Sequence, residues 1–209
     1  MMFKRKALIP AAFLSAVFLL GGCGTQQHAE TESAAPAGFP VKWTQTLSGA
    51  PVEMQVKEAP KHAISMSQAT TEMLLTLGVE NEMAGTAFKE EDIYPPLQAA
   101  YDKVPVLAEK WPSYEVLMAA QPDFVTGWEV AFTKRGIEAD RITAQNVPIY
   151  IPSSMQSTQA DLDMLFGDMQ KLGDIFGVKD RADAWIDSQK KQLAAVQDKI
   201  CLLYTSDAA

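Results

Sequence analysis

Residues 104–128, VPVLAEKWPSYEVLMAAQPDFVTGW, carry Trp111 and Trp128 towards either end of one short unit, where a ligand could sit against their ring faces. Tyr94, in Asp92-Ile93-Tyr94-Pro95-Pro96, adds a third aromatic in a proline-stiffened loop. Lys110 and Glu129 flank the tryptophans and are suited to pairing with a charged group or to facing solvent. Glu115 sits where a helix should begin, so its charge would favour the helix dipole. Reactive chemistry is harder to assemble. The sequence has no Gly-x-Ser-x-Gly elbow, no phosphate loop and no His cluster at metal spacing. His62 is the only histidine past the polar N-terminal stretch, and a metal site needs several converging ligands. These residue types suit binding better than catalysis, and His62 reads as structural at a strand start.

The elements that must position these residues follow from the local pattern. Ser113 is a good N-cap, with Val116, Leu117 and Ala120 giving a short helix its apolar face. Gln121-Pro122-Asp123 breaks that helix, because the residue before a proline is pushed out of the helical region. Phe124-Val125-Thr126 then reads as a buried strand ending at Gly127. Upstream, residues 39–56 alternate around Ser48-Gly49-Ala50-Pro51, a hairpin signal. Strands at Ala63–Met66 and Met83–Gly85 bracket a helix carrying Met73, Leu74 and Leu77 and ending at Gly78. A short helix is expected over Leu97–Asp102, another over Arg135–Gln145, and a strand over Pro148–Ile151. Short strands alternating with helices predict an α/β fold with a mainly parallel sheet. From Thr158 the period becomes helical, with Leu162, Leu165, Phe166, Met169, Leu172 and Ile175 on one face. After a break near Gly177, a second helix runs from Asp180 to Ile200.

The two ends carry different information. The chain has 209 residues, 47% hydrophobic and 21% charged, with a net charge of -8, so a nucleic-acid partner is not expected. Lys4, Arg5 and Lys6 precede the apolar run Ala7–Leu20, which suits a signal segment better than a membrane span. The run closes with Leu20-Gly21-Gly22-Cys23, which resembles the lipobox of bacterial lipoproteins, where the cysteine is diacylated and becomes the first residue. Cleavage there would remove three of the 18 basic residues and none of the 26 acidic ones. Residues 24–38 are polar and small, a flexible tether. Cys201 is the only other cysteine, so no internal disulfide framework is implied. CLLYTSDAA at 201–209 breaks the preceding helical composition and reads as a non-native tail.

Taken in order, the lipobox, tether and hairpin, then Ala59-Pro60-Lys61-His62-Ala63-Ile64-Ser65-Met66, Thr71–Gly78, Met83-Ala84-Gly85-Thr86 and Glu115-Val116-Leu117 before Gln121–Val125, form a recognisable series. It resembles the N-terminal lobe of the solute-binding proteins of ABC importers for iron-siderophores and cobalamin. Two α/β lobes joined by a long rigid helix hold the ligand between them in that family. The resemblance implies a signal peptide at 1–22, a tether at 23–38, an N-terminal lobe at 39–157 and an inter-lobe linking helix at 158–177. Residues 178–200 would begin an otherwise missing second lobe. By position, Trp128, Tyr94 and Trp111 would contact ligand and Glu115 would dock on the permease. The implied protein is not an enzyme and needs no cofactor or resident metal. It would be lipid-anchored at Cys23 on the extracytoplasmic face, with a metal chelate, the permease subunits and the membrane as partners. Ferric siderophore is the leading ligand class and cobalamin or haem the alternative. A metal-dependent hydrolase or lyase on the same scaffold, or a lipoprotein binding protein or cell-wall partners, are the rival readings. His62 stands where the family usually has Arg, and the spacing of the tryptophans differs slightly from the cobalamin-binding members.

Overall fold

The computed structural model describes residues 36–206. The expected signal segment, Cys23 and the expected tether as far as residue 35 lie outside the described residues, as do 207–209. An antiparallel hairpin opens the lobe: β1 (Val41–Leu47) pairs with β2 (Ala50–Val56), with Val41 opposite Val56 and Leu47 opposite Ala50. Its turn holds Ser48 at φ 51° and Gly49 at φ 81°, so both central residues are left-handed and the turn twists with its strands. Ala50 and Pro51, expected in the turn, belong to β2, where Pro51 is tolerated because that strand pairs on one side.

The main sheet contains β3 (Ala63–Ser65), β4 (Met83–Ala87), β5 (Val106–Ala108), β6 (Phe124–Thr126) and β7 (Ile149–Tyr150), in the order β5-β4-β3-β6-β7. Each neighbouring pair is parallel, so each needs a crossover. The crossovers carry α1 (Gln68–Thr76), α2 (Gln98–Tyr101), α3 (Tyr114–Ala119) and α4 (Ala139–Thr143). Sheet residues Ala63, Ile64, Phe124, Val125 and Ile149 are fully buried and form the core with Leu74, Leu77, Leu117 and Ile142 of the helices. β5 is not among the strands expected from the sequence. It is a three-residue edge strand with Val106 56% exposed, too short and one-sided for alternation to appear. α4 is shorter than the predicted 135–145, because Gly136 and Ile137 fold back and the Ile137 amide donates to the Ala131 carbonyl at 2.9 Å.

β7 is a sheet edge, and the hairpin closes it with side chains instead of a strand. Trp43 Nε1 donates to the Ile149 carbonyl at 3.1 Å, and the Ile151 amide donates to Gln45 Oε1 at 2.8 Å. Buried backbone groups that would otherwise lack partners are thereby satisfied and the edge is hidden. Beyond β7, Asp168 fixes the returning chain. Its buried carboxylate accepts from the Tyr150 hydroxyl (2.8 Å), the Ser153 amide (2.7 Å) and hydroxyl (2.9 Å), and the Ser154 amide (2.9 Å).

Asp168 belongs to α5 (Leu162–Ile175), which Asp161 caps by accepting from the Met164 amide. The helix ends at Gly177, φ 66°, with Val178 donating back to the Gly173 carbonyl at 2.8 Å. α6 (Lys179–Ser206) follows and continues past Ile200, where helical composition had seemed to stop. α5 and α6 cross closely at Gly173, where an added Cβ would lie 2.6 Å from the Ala182 methyl. Arg181 of α6 donates to the Leu77 and Gly78 carbonyls at 3.1 and 2.8 Å, closing the C-terminus of α1.

The linking helix is expected at 158–177, a range that holds α5 (Leu162–Ile175). α5 buries Phe166, Met169, Leu172 and Ile175 against the lobe. α6 buries Ala182 and Ile186 in its first turns, and residues 191–197 are then all exposed. α6 is thus packed at its start and exposed further along. Apolar spacing marked α5 as long and amphipathic, and that same apolar face ties it down.

Candidate functional site

Parallel strands leave their carboxyl ends on one side, and loops from four of them meet there. Trp128 lies two residues beyond β6, Trp111 three beyond β5, and Phe88 directly after β4. Trp111 Nε1 donates to the carbonyl of Met66, directly after β3, at 3.1 Å, which fixes the indole's edge. The ring of Phe88 stacks on Trp111 with centroids 4.7 Å apart and planes 7° from parallel. It also meets Trp128, tilted by 56° at 5.9 Å. All three rings are half-buried, so faces and edges remain open to solvent. Gly127 permits this approach, since a Cβ there would fall 2.7 Å from that of Met66.

Phe88 is the residue that sequence reasoning missed. It lies just past the strand expected at Met83–Gly85 and carries no expectation of its own. Its backbone is left-handed at φ 60°, which is uncommon for an aromatic residue and turns its ring out of the sheet towards Trp111. The usable signal was its place at a strand's carboxyl end, the same position that singled out Trp128.

Hydroxyls form the floor. Thr86, Ser65 and Thr126 share one row across β4, β3 and β6. Thr71 Oγ1 lies 2.6 Å from Thr86 Oγ1 and donates to Ser65 Oγ at 2.8 Å; Ser65 Oγ is also 2.7 Å from Thr70 Oγ1. Ser67 caps α1 by accepting from the Thr70 amide. Thr126 Oγ1 is buried with no hydrogen-bond partner. A floor built this way is polar inside and rigid, and it carries no group that is nucleophilic without a base.

Tyr94 stands apart. Its ring is 60% exposed, and among the described residues it pairs with none of the three clustered rings. Its amide donates to Glu72 Oε1 at 3.2 Å, at the far end of the loop that Phe88 begins. Glu115 is exposed in the first turn of α3, with Arg141 3.9 Å away and the Arg141 guanidinium 4.0 Å over the Tyr114 ring. Its carboxyl is held below its usual range by its own backbone amide first, then by the Ser113 hydroxyl and Arg141. Lys110 and Glu129 are exposed. His62 is exposed at the start of β3, where its amide and that of Lys61 donate to the Asp123 carboxylate at 3.0 and 2.7 Å. Among the described residues no group of three His, Cys, Asp or Glu side chains could hold a metal ion. A separate concavity of about 620 Å³ lies between β2 and the amino ends of β6 and β7, on the opposite side of the sheet from the aromatic cluster. Its walls are mixed and hold no comparable aromatic faces.

An α/β lobe with a mainly parallel sheet and an aromatic platform at its carboxyl edge is the architecture of a ligand-capturing lobe. Residues 64–203 match the periplasmic binding protein family, and the chain belongs to it. A Bacillus subtilis (strain 168) protein named as an uncharacterized ABC transporter substrate-binding lipoprotein, YvrC, is 24% identical over 199 residues, 94% of this chain and 59% of the relative. A crystal structure of a periplasmic binding protein from Veillonella parvula DSM 2008 is 60% identical, with a TM-score of 0.76 over 78% of this chain and 55% of that one. An ABC-type Fe3+-hydroxamate transport system structure from Saccharomonospora viridis DSM 43017 has the same fold at 24% identity, with a TM-score of 0.61 over 77% of this chain and 56% of the other. The chain thus spans somewhat over half the length of these relatives. The family and its named relatives are transporter substrate-binding proteins, not enzymes.

Proposed function

We propose that the chain supplies the N-terminal lobe of a lipid-anchored substrate-binding protein of an ABC importer, and that the lobe captures an iron-siderophore or related metal chelate for delivery to the permease. The observation that carries this reading is the cluster of Phe88, Trp111 and Trp128 at the carboxyl edge of the sheet. Open aromatic faces over a rigid floor suit a large, partly flat ligand, which gains from stacking while its polar rim stays wet. The Fe3+-hydroxamate transport system among the structural neighbours fits the same class. Cobalamin or haem would use the same faces.

In this reading Trp128 and Trp111 contact the ligand, Phe88 joins them, and Tyr94 reaches it from the side of the cleft. Glu115 docks on the permease through a charge kept exposed, and α6 leads towards a second lobe. Residues 1–22 are the signal peptide, Cys23 carries the lipid, and residues up to 38 tether the lobe to the extracytoplasmic face of the membrane. Titrating the protein with ferrichrome, ferrioxamine B, haemin and cyanocobalamin tests the reading. Quenching of tryptophan fluorescence by one class supports it, and none by any of the four opposes it.

A further inference from the structure

We infer that Gln68 and Glu72, one turn apart on α1, act as a clamp that positions the ligand-facing loop 88–94; this rests on the binding role proposed above. The loop leaves β4 at Phe88 and ends at Tyr94, so it carries one clustered aromatic and one solitary one. Neither end is held by strand pairing. Gln68 grips the first half: its backbone amide donates to the Phe88 carbonyl at 3.1 Å, and its Oε1 accepts from both the Glu90 and Glu91 amides at 2.8 Å. The other side of the same amide reaches forward, Nε2 donating to the Asp92 carbonyl at 3.3 Å and to Glu72 Oε1 at 3.0 Å. Glu72 Oε1 in turn accepts from the Tyr94 amide at 3.2 Å. Ile93, buried between these grips, pins the loop's apolar side.

The geometry explains why these two residue types are needed. A primary amide both donates and accepts, so a single Gln can take two loop amides on its oxygen and offer its nitrogen to the next carbonyl. The i, i+4 spacing puts the second acceptor directly beside the first on the helix surface. α1 itself is fixed by its Ser67 cap at one end and Arg181 at the other, so the clamp refers the loop to a rigid element. Phe88 needs that restraint, because a left-handed aromatic residue relaxes once the amides that follow it are freed. Gln68 and Glu72 therefore act through Phe88 and Tyr94 and need not touch ligand themselves.

The test uses the full chain with Gln68→Ala, Glu72→Ala and Glu72→Gln, the last keeping an oxygen that can accept from Gln68 and Tyr94. Amide exchange at Glu90, Glu91 and Tyr94 and the near-ultraviolet circular dichroism of the tryptophans are read without ligand. Gln68→Ala should speed exchange at Glu90 and Glu91 about tenfold or more and diminish the stacked-ring signal. Glu72→Ala should do so at Tyr94, and Glu72→Gln should restore near-wild-type values. Unchanged exchange in Gln68→Ala, or Glu72→Gln as damaging as Glu72→Ala, would overturn the clamp. Should Gln68→Ala lose the fold by far-ultraviolet circular dichroism, the Glu72 pair alone decides. Ferrichrome and haemin titrations then separate the two claims. If the wild type binds a probe and the freed loops bind it equally well, the positioning role is overturned. If the wild type binds neither while the exchange results hold, the clamp stands and the binding reading fails.

Discussion

Trp111 and Phe88 lie face to face, 4.7 Å apart and within 7° of parallel, although they are 23 positions apart in the chain. Both are held by carbonyl groups at the ends of strands. Trp111 donates to the Met66 carbonyl, and the Phe88 carbonyl takes the Gln68 amide. The stack is thus a property of the sheet's carboxyl edge, not of either loop alone.

Asp168 should be the costliest single polar substitution in the lobe. Asp168→Asn leaves four donors facing one acceptor oxygen and an NH2 group, and should lower stability by about 2–4 kcal/mol in urea unfolding. Tyr150→Phe removes one of those donors and should cost about 1–3 kcal/mol.

Tyr150 also sets an alkaline limit. Burial first, then the Asp168 charge and hydrogen bond, push its hydroxyl far above the ordinary tyrosine value. The unfolded chain loses this proton near its ordinary value of 10.0, and the folded chain keeps it. The contribution is therefore whole below that pH and falls as pH rises above it. Tyr150→Phe should flatten the loss of stability between about pH 10 and 11.5, relative to wild type, in thermal melts.

The hairpin should matter for solubility as well as stability. Gln45→Leu leaves the Ile151 amide buried without its acceptor and should cost about 1–3 kcal/mol. It should also raise aggregation at partial denaturation, measured by light scattering, because the β7 edge is less well closed.

Glu115 should separate docking from binding. Glu115→Gln should reduce uptake of ligand by cells severalfold while leaving ligand affinity unchanged. Since its backbone amide and Ser113 keep the carboxyl ionised below its ordinary 4.5, docking should not weaken between pH 7 and about 5 on its account. A parallel loss of affinity and uptake would contradict the division of roles.

Cys23→Ser should abolish metabolic labelling of the protein by radioactive palmitate and shift it from the membrane to the soluble fraction. Persistent labelling would place the lipid elsewhere.

Much of this was legible in the residues. Ser113 is a local signal, and buried strands such as Phe124–Thr126 announce themselves by bounded apolar runs. β5 was not, because a three-residue edge strand takes its identity from a neighbour, Thr86 opposite Val106. The site divided the same way. Trp111 and Trp128 were visible as large aromatics flanking one unit, but Phe88 joins them only through a left-handed backbone and a long-range hydrogen bond. Tyr94 drew attention through its prolines, yet the fold sets its ring apart from the cluster. Nothing local to Glu72 announces that its carboxylate holds the Tyr94 amide, 22 residues on.

The most direct measurement of the central claim is a fluorescence titration of the wild type and of Trp111→Ala, Trp128→Ala and Phe88→Ala with ferric siderophores, haemin and cobalamin. The account predicts saturable quenching of the wild type by one of these ligands. It predicts at least about tenfold weaker binding for Trp128→Ala and Phe88→Ala, with circular dichroism showing the fold retained. Binding of equal strength in all three variants, or no binding in the wild type, would contradict it.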